Sequence, residues 1–239
     1  VGVIVLDGAG YAVAGKSILS GLSLTLAEPR IGIIGRNGSG KTSLLRLIAG
    51  LVAPTAGQVR VDGIDPFADR KGALAALGIL FQNPDHQILF PTVEEELAFG
   101  LRQQGLPQAQ ALAAARAALA AAGRAHWAGA AVSTLSGGQK HWLCLQSVLL
   151  MAPATILLDE PFAGLDLSET ARQARRLAAL PQRLVMISHD PAHLAAADRV
   201  IWIEAGGVTA NGPPAQVLPA FAAEMARLGG VDADADLAG

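Results

Sequence analysis

At 239 residues, with 51% hydrophobic side chains and a formal net charge of −2, the chain can bury one substantial core, and a single α/β domain carrying an insertion is the starting expectation. The small charge and the absence of any Lys/Arg block argue against a nucleic-acid partner. Mean hydropathy of +0.39 comes largely from alanine, which marks helix more than bilayer; the longest apolar stretch, 143–158, is broken by Gln146, Ser147 and Pro153, which excludes a membrane-spanning run of about 20 apolar residues.

The N-terminus has neither the basic start nor the small-residue cleavage site of a signal peptide, and the one cysteine, Cys144, has no partner for an internal disulfide, so a reducing cytoplasm is expected. The first clear element is the apolar, β-branched run 31–34, followed by 41–49 with Leu44, Leu45, Leu47 and Ile48 at helical spacing. The reading is strand, loop, helix. The loop, Gly35-Arg36-Asn37-Gly38-Ser39-Gly40-Lys41-Thr42, fits the phosphate-loop pattern in its required context. Its glycines let successive N–H groups face a β-phosphate, the helix N-terminus adds its positive end, Lys41 neutralises the β and γ oxygens, and Thr42 offers its hydroxyl to Mg²⁺. Gly50 follows in a capping role, and a short strand over 57–61 leads into the tight turn Asp62-Gly63. These segments predict an α/β core with an antiparallel flap.

Further strand-like runs at 77–81, 155–158, 184–187 and 200–203 alternate with helix-prone segments, which implies a mostly parallel sheet. No strand candidate interrupts 84–151, where 107–122 and 137–151 are helical by pattern and alanine content, so this stretch is expected to be a helical insertion. Within it, Leu135-Ser136-Gly137-Gly138-Gln139 sets a hydroxyl and paired glycines at a helix start, a second arrangement suited to an anion. A triphosphate already cradled by the Lys41 loop has little need of both grips. The second is therefore expected to close over ATP bound to another subunit, giving a dimer with two ATPs at its interface; Ser136 merely capping its own helix is the alternative. The strand over 155–158 delivers two carboxylates, Asp159 and Glu160, at its C-terminal end, where ligands gather in open α/β sheets. Neighbouring strand positions point opposite ways, and a pleat change after Asp159 would give the two acids separate tasks. A single domain is expected over 1–229, with 230–239 a disordered acidic tail.

Leu135 to Gln139, ahead of the strand ending in Asp159-Glu160, resembles the signature motif of ABC ATPases, and the likeness runs from about Tyr11 to Gly212. The resemblance implies a P-loop NTPase (RecA-like) α/β core with a mostly parallel sheet, an N-terminal antiparallel β subdomain and the helical insertion. It implies Mg²⁺ held by Thr42 and Gln82, with Asp159 supporting its shell, and Glu160 as the general base that orients the attacking water. By the same resemblance Gln82 senses Mg²⁺ and the γ-phosphate, and His189, in Ile187-Ser188-His189-Asp190, is the switch histidine that contacts the γ-phosphate. The resemblance implies that Tyr11 stacks on adenine, a packed core tyrosine being the alternative, and that Ser136, Gly137, Gly138 and Gln139 contact ATP in trans. Asp166 lies on the loop that crosses the dimer interface. Ala163 stands where that loop more usually has serine, which removes a hydroxyl from the interface.

The stretch from Phe81 to Gly100, which begins where a core strand ends, closely resembles the energising subunits of energy-coupling factor transporters, importers of vitamins and transition-metal ions. The resemblance implies a homodimer or a heterodimer with a paralogous ATPase, an integral-membrane coupling (T) protein, a substrate-capture (S) protein, and a place on the cytoplasmic face of the bacterial inner membrane. Biotin is the first expectation for the solute, cobalt or nickel the next. Glu94, Glu95 and Glu96 are expected either to meet basic residues of the coupling protein or to form a solvated acidic turn. His141 and Trp142 stand where the family continues with arginines, so the partner-facing helix is expected to be tuned differently, and the short stretch after Gly229 sets the expectation that the longer C-terminal extension of some relatives is lacking. Three other readings stand beside this one. A conventional binding-protein-dependent importer shares the same motifs. A DNA-repair or chromosome-maintenance ATPase needs a coiled coil longer than the interval between Lys41 and Leu135 allows, and a translation-associated ABC protein normally carries two ATPase units where one is present.

Overall fold

The computed structural model describes residues 2–229; Val1 and 230–239, and with them the expected acidic tail, lie outside the described residues. Strands β1 (Ile4–Val13) and β2 (Lys16–Leu26) make an antiparallel hairpin that turns at Ala14 and Gly15, with φ of 49° and 78°, the pair of left-handed conformations that a tight two-residue hairpin favours. After β3 (Arg30–Ile34) and α1 (Lys41–Ile48), β4 (Ala56–Val61) pairs with the other edge of β1 and completes a three-stranded sheet in the order β2-β1-β4. Its inward side chains, among them Ile4, Leu6, Leu22 and Val61, are buried against Leu44, Leu45 and Ile33 in one continuous core.

The larger sheet holds β3, β5 (Leu77–Leu80), β6 (Thr155–Asp159), β7 (Arg183–Ile187), β8 (Arg199–Glu204) and β9 (Gly207–Gly212). Their order is β5-β6-β7-β3-β8-β9, parallel except for the β8–β9 pair. Every residue of β6 is buried, which is why the central strands read as unbroken apolar runs rather than as alternating ones. Helices α2 (Arg70–Ala76), α6 (Leu167–Ala178) and α7 (Pro214–Gly229) complete the α/β layer. Phe81 leaves the β5 ladder because its N–H donates to Gln87 Oε1 at 3.1 Å. The strand order sets the carboxyl ends of β5, β6, β7 and β3 side by side, and there the candidate site is built.

Between β5 and β6 the chain forms α3 (Val93–Gln103), α4 (Gln108–Ala121) and α5 (Gly137–Leu150) with short 3₁₀ turns. These helices share a core of Val93, Leu97, Leu101, Ala115, Leu119 and Leu143, separate from that of the sheet. Two expectations are corrected here. The three consecutive glutamates are engaged within the chain: Glu94 pairs with Arg116 at 2.6 Å, Glu95 accepts from the Thr92 hydroxyl, and Glu96, buried, accepts from the N–H groups of Leu89 and Phe90 at 2.8 and 2.9 Å. Those two backbone donors satisfy the carboxylate inside the fold, and the three acids stand in the first turn of α3, where the helix dipole favours negative charge.

His141 and Trp142 are the second correction, since they point inward, at 5% and 4% exposure. The Trp142 ring meets Trp127 edge to face at 5.4 Å and lies under the Arg124 guanidinium at 4.3 Å. Trp142→Ala is expected to cost about 3–5 kcal/mol of stability, read as a lower urea midpoint. A loss under about 1 kcal/mol would show that this ring does not hold the helical layer together. Among the described residues no helix is long and apolar enough to cross a membrane.

Candidate active site

The loop after β3 folds so that α1 starts at Lys41. Gly40 is its N-cap at φ 107°, and a Cβ there would stand 2.8 Å from the Leu19 side chain and 3.1 Å from the Ile18 carbonyl. Glycine is required at that position by conformation and by space together. Lys41 is 8% exposed, and its ammonium donates to the Gly35 and Arg36 carbonyls, both at 2.7 Å. Burial pulls its pKa below the ordinary lysine value, while Glu160, Asp159 and Glu204 oppose that shift.

Next to the loop, β6 ends in Asp159, which is 5% exposed and accepts from the Thr42 hydroxyl at 3.3 Å. Burial holds its carboxyl above the usual carboxylate range; the Thr42 hydrogen bond opposes the shift and Glu160 adds to it. Glu160 then takes φ 49°, a left-handed conformation unusual for a non-glycine residue, fixed by its N–H donating to the Ile187 carbonyl of β7 at 3.1 Å. This is the pleat change that separates the two acids. Asp159 faces Thr42, whereas Glu160 lies 2.9 Å from His189 Nδ1. Strained backbone of this kind collects at functional sites. His193, by contrast, bonds Ser188 Oγ at 3.0 Å and stacks on Phe162 at 4.4 Å, which is a packing role.

A cavity of about 560 Å³ gathers Lys41, Thr42, Gln82, Asp159, Glu160 and His189. The structure thus joins residues from the ends of four neighbouring strands. Asn37, Gly38 and Gly40 line the same cavity, and Ile18 and Ser43, absent from the sequence-based set, line it too. Tyr11 stands in β1 opposite Leu19, partly buried against the sheet core, and it is Ile18 rather than Tyr11 that reaches the cavity wall from this hairpin.

None of residues 136–139 lines that cavity. Ser136 is the N-cap of α5 and makes a capping box: its Oγ accepts from Gln139 N–H at 3.3 Å and its own N–H donates to Gln139 Oε1 at 2.7 Å. The capping that stood as the alternative for Ser136 is therefore present, and it leaves the hydroxyl hydrogen available to an oxygen from outside. Gly137 is exposed, and a Cβ there would meet nothing within 4 Å. A Cβ on Gly138 would collide with the Glu169 carboxylate. Asp166 caps α6, accepting from Glu169 N–H at 2.8 Å, so it holds the helix that carries Glu169 against the Ser136 turn. No short-range pattern connects Glu169 to Gly138, and sequence reasoning missed that contact.

Residues 19–163 match the protein-family model described as ABC transporter. The chain is 54% identical over 214 residues to the biotin transport ATP-binding protein BioM of Rhodobacter capsulatus, across 90% of this chain and 92% of that protein. It is 40% identical over 193 residues to the energy-coupling factor transporter ATP-binding protein EcfA1 of Symbiobacterium thermophilum, across 78% of this chain and 67% of that one. Among solved structures, cbiO1 from Clostridium perfringens, described as part of the ABC transporter complex cbiONQ, superposes with a TM-score of 0.75 at 28% identity, covering 90% of each chain.

Proposed function

This chain belongs to the ABC transporter family, and from that premise we propose that it is the ATP-hydrolysing subunit of an energy-coupling-factor-type importer, in which closure of an ATPase dimer drives uptake of a vitamin or transition-metal ion. Biotin comes first among the solutes, on the strength of the similarity to BioM, and cobalt or nickel next. Residues 2–229 act as one ATPase domain, with the helices between β5 and β6 facing an integral-membrane coupling protein that works with a substrate-capture protein. The subunit then sits at the cytoplasmic face of the bacterial inner membrane through those partners. Labelled biotin, nickel and cobalt offered to cells expressing this chain with its membrane partners test the solute; uptake of a metal ion without biotin would overturn the first choice.

In the proposed chemistry the Gly35–Thr42 loop cradles the triphosphate, and Lys41 neutralises its β and γ oxygens. The base lies toward the β1–β2 hairpin, where Tyr11 and Ile18 stand. The residues present fit a magnesium ion: Asp159 is a buried carboxylate with no Lys, Arg or His within ion-pair distance among the described residues, beside the Thr42 hydroxyl and in the cavity that Gln82 lines. Thr42 and Gln82 would ligate it and Asp159 would support its shell, and bound there the ion would offset charge on the β and γ oxygens. Glu160 accepts a proton from the attacking water, and His189, hydrogen-bonded to Glu160, holds that carboxylate in line with the γ-phosphate.

One observation supports the dimer: the Ser136–Gln139 turn and the phosphate-loop cavity share no residue within one chain, as expected of a turn that grips a triphosphate presented by a second chain. Gly137→Tyr tests this directly, because the side chain enters open space in the single chain. ATP binding should be unchanged, while hydrolysis falls about a hundredfold through misalignment of the facing subunit. Normal hydrolysis by this variant would sink the shared site.

A further inference from the structure

We propose that a second cavity, of about 260 Å³ between the start of α5 and α6, is a binding site for a small phosphate-bearing anion, formed by Arg124, Arg172, Arg176 and Gln173 and distinct from the phosphate-loop site. Three guanidinium groups line it. None of the three forms a salt bridge with a carboxylate among the described residues. Arg124 spends one N–H on the Ala122 carbonyl and its face on Trp127 and Trp142; Arg172 has only a 3.4 Å contact to Ser168 Oγ. Among the described residues the remaining donors have no hydrogen-bond partner.

Like charges gathered without a counter-ion repel one another, and Arg176 registers this: its pKa is lowered by burial and by the nearby charges of Arg124, Arg172 and Arg175. The single acid in the lining is Glu169, whose carboxylate lies against Gly138, which leaves a surplus of positive charge on the wall.

The independent observation is a pair of orphaned polar atoms. Among the described residues the Nε2 of Gln173, 2% exposed, and the Nδ1 of His141, 5% exposed, have no hydrogen-bond partner; both residues line the cavity. An unsatisfied buried polar group is costly and calls for a partner that the chain itself does not supply. Arginine forks matched to a tetrahedral oxyanion, with an amide donor behind them, suit phosphate. The volume leaves room for a small organic portion as well. Because Ser136 and Gly138 lie on the same wall, an occupant would sit directly behind the turn proposed to grip the facing ATP.

The test uses the whole chain without nucleotide, titrated with inorganic phosphate and, separately, with glycerol 3-phosphate, against potassium chloride at matched ionic strength. Trp127 and Trp142 line the cavity, whereas the third tryptophan, Trp202, packs on Phe221 elsewhere, so fluorescence reports on occupancy. A saturable change with either anion and not with chloride is expected, and it should persist in Lys41→Ala. Saturation by phosphate alone would mark the free ion as the occupant; tighter binding of glycerol 3-phosphate would mark an organic phosphate. Arg172→Gln/Arg176→Gln and, separately, Gln173→Leu should weaken binding about tenfold or more, and phosphate should raise the melting temperature of the unmutated chain more than that of Gln173→Leu. No saturable change, a response shared with chloride, loss in Lys41→Ala, or full retention in the Arg172/Arg176 and Gln173 variants would each overturn the proposal.

Discussion

Glu160→Gln is expected to slow ATP hydrolysis at least about a hundredfold while ATP binding stays within about twofold. The amide keeps the shape of the side chain, and nothing in glutamine prevents the φ of 49° at this position. What it loses is a group that can take a proton from water, and its contact with His189 Nδ1 turns from a carboxylate to an amide one. A hundredfold corresponds to about 2.7 kcal/mol of transition-state stabilisation, within the range that a positioned general base contributes. The prediction is read by steady-state phosphate release beside equilibrium nucleotide binding, and the variant should also accumulate as a closed, ATP-bound dimer on size-exclusion chromatography. Near-normal turnover would remove Glu160 from its role and leave its strained backbone without a functional account.

Lys41→Ala should act at the opposite step, reducing ATP affinity by about a hundredfold or more. A charge-assisted hydrogen bond contributes about 1.5–3 kcal/mol, and an ammonium between the β and γ oxygens makes two, so a loss of several kcal/mol is expected where 1.4 kcal/mol is tenfold. Fold stability should change far less. Lys41 is buried at some cost to its charge, and its bonds in this structure go to the Gly35 and Arg36 carbonyls, so its removal relieves desolvation as it forfeits those bonds. Isothermal titration with ATP and a thermal melt separate the two effects. Retained affinity would mean that the loop backbone alone carries the triphosphate.

Taken together the two variants divide the site along its construction. Lys41 belongs to the loop after β3, proposed to bind; Glu160 belongs to the end of β6, proposed to react; and β7 lies between them in the sheet order, fixing Glu160 through the Ile187 carbonyl. That arrangement also explains how the Ser136 turn can answer to the catalytic end of the molecule. The segment leaving Glu160 reaches Asp166, Asp166 caps α6, and α6 lays Glu169 against Gly138. The connection is short and made of packed groups, so a shift at either end has a physical route to the other.

The sequence by itself determined the local elements whose signal lies within a few residues: the strand, glycine loop and helix around Lys41, the apolar runs of β5 to β8, the Asp62-Gly63 turn at φ 53° and 83°, and the acidic pair at the end of β6. Backbone sterics and short apolar periods act locally, so these could be read without a partner segment. The hairpin of β1 and β2 escaped, because Gly8, Gly10, Gly21 and several register shifts interrupt its alternation and its turn is Ala14-Gly15 rather than a commoner pair. Only the tertiary structure decided which side chains meet. It turned His141 and Trp142 inward, bound Glu94 to Arg116 and buried Glu96 under backbone donors, and it set Ile18 rather than Tyr11 on the cavity wall. It also gathered Arg124 and Arg176 from segments far apart in the chain. Each of these depends on how one layer packs on another, a long-range matter of burial and charge compensation that no residue's immediate neighbours encode.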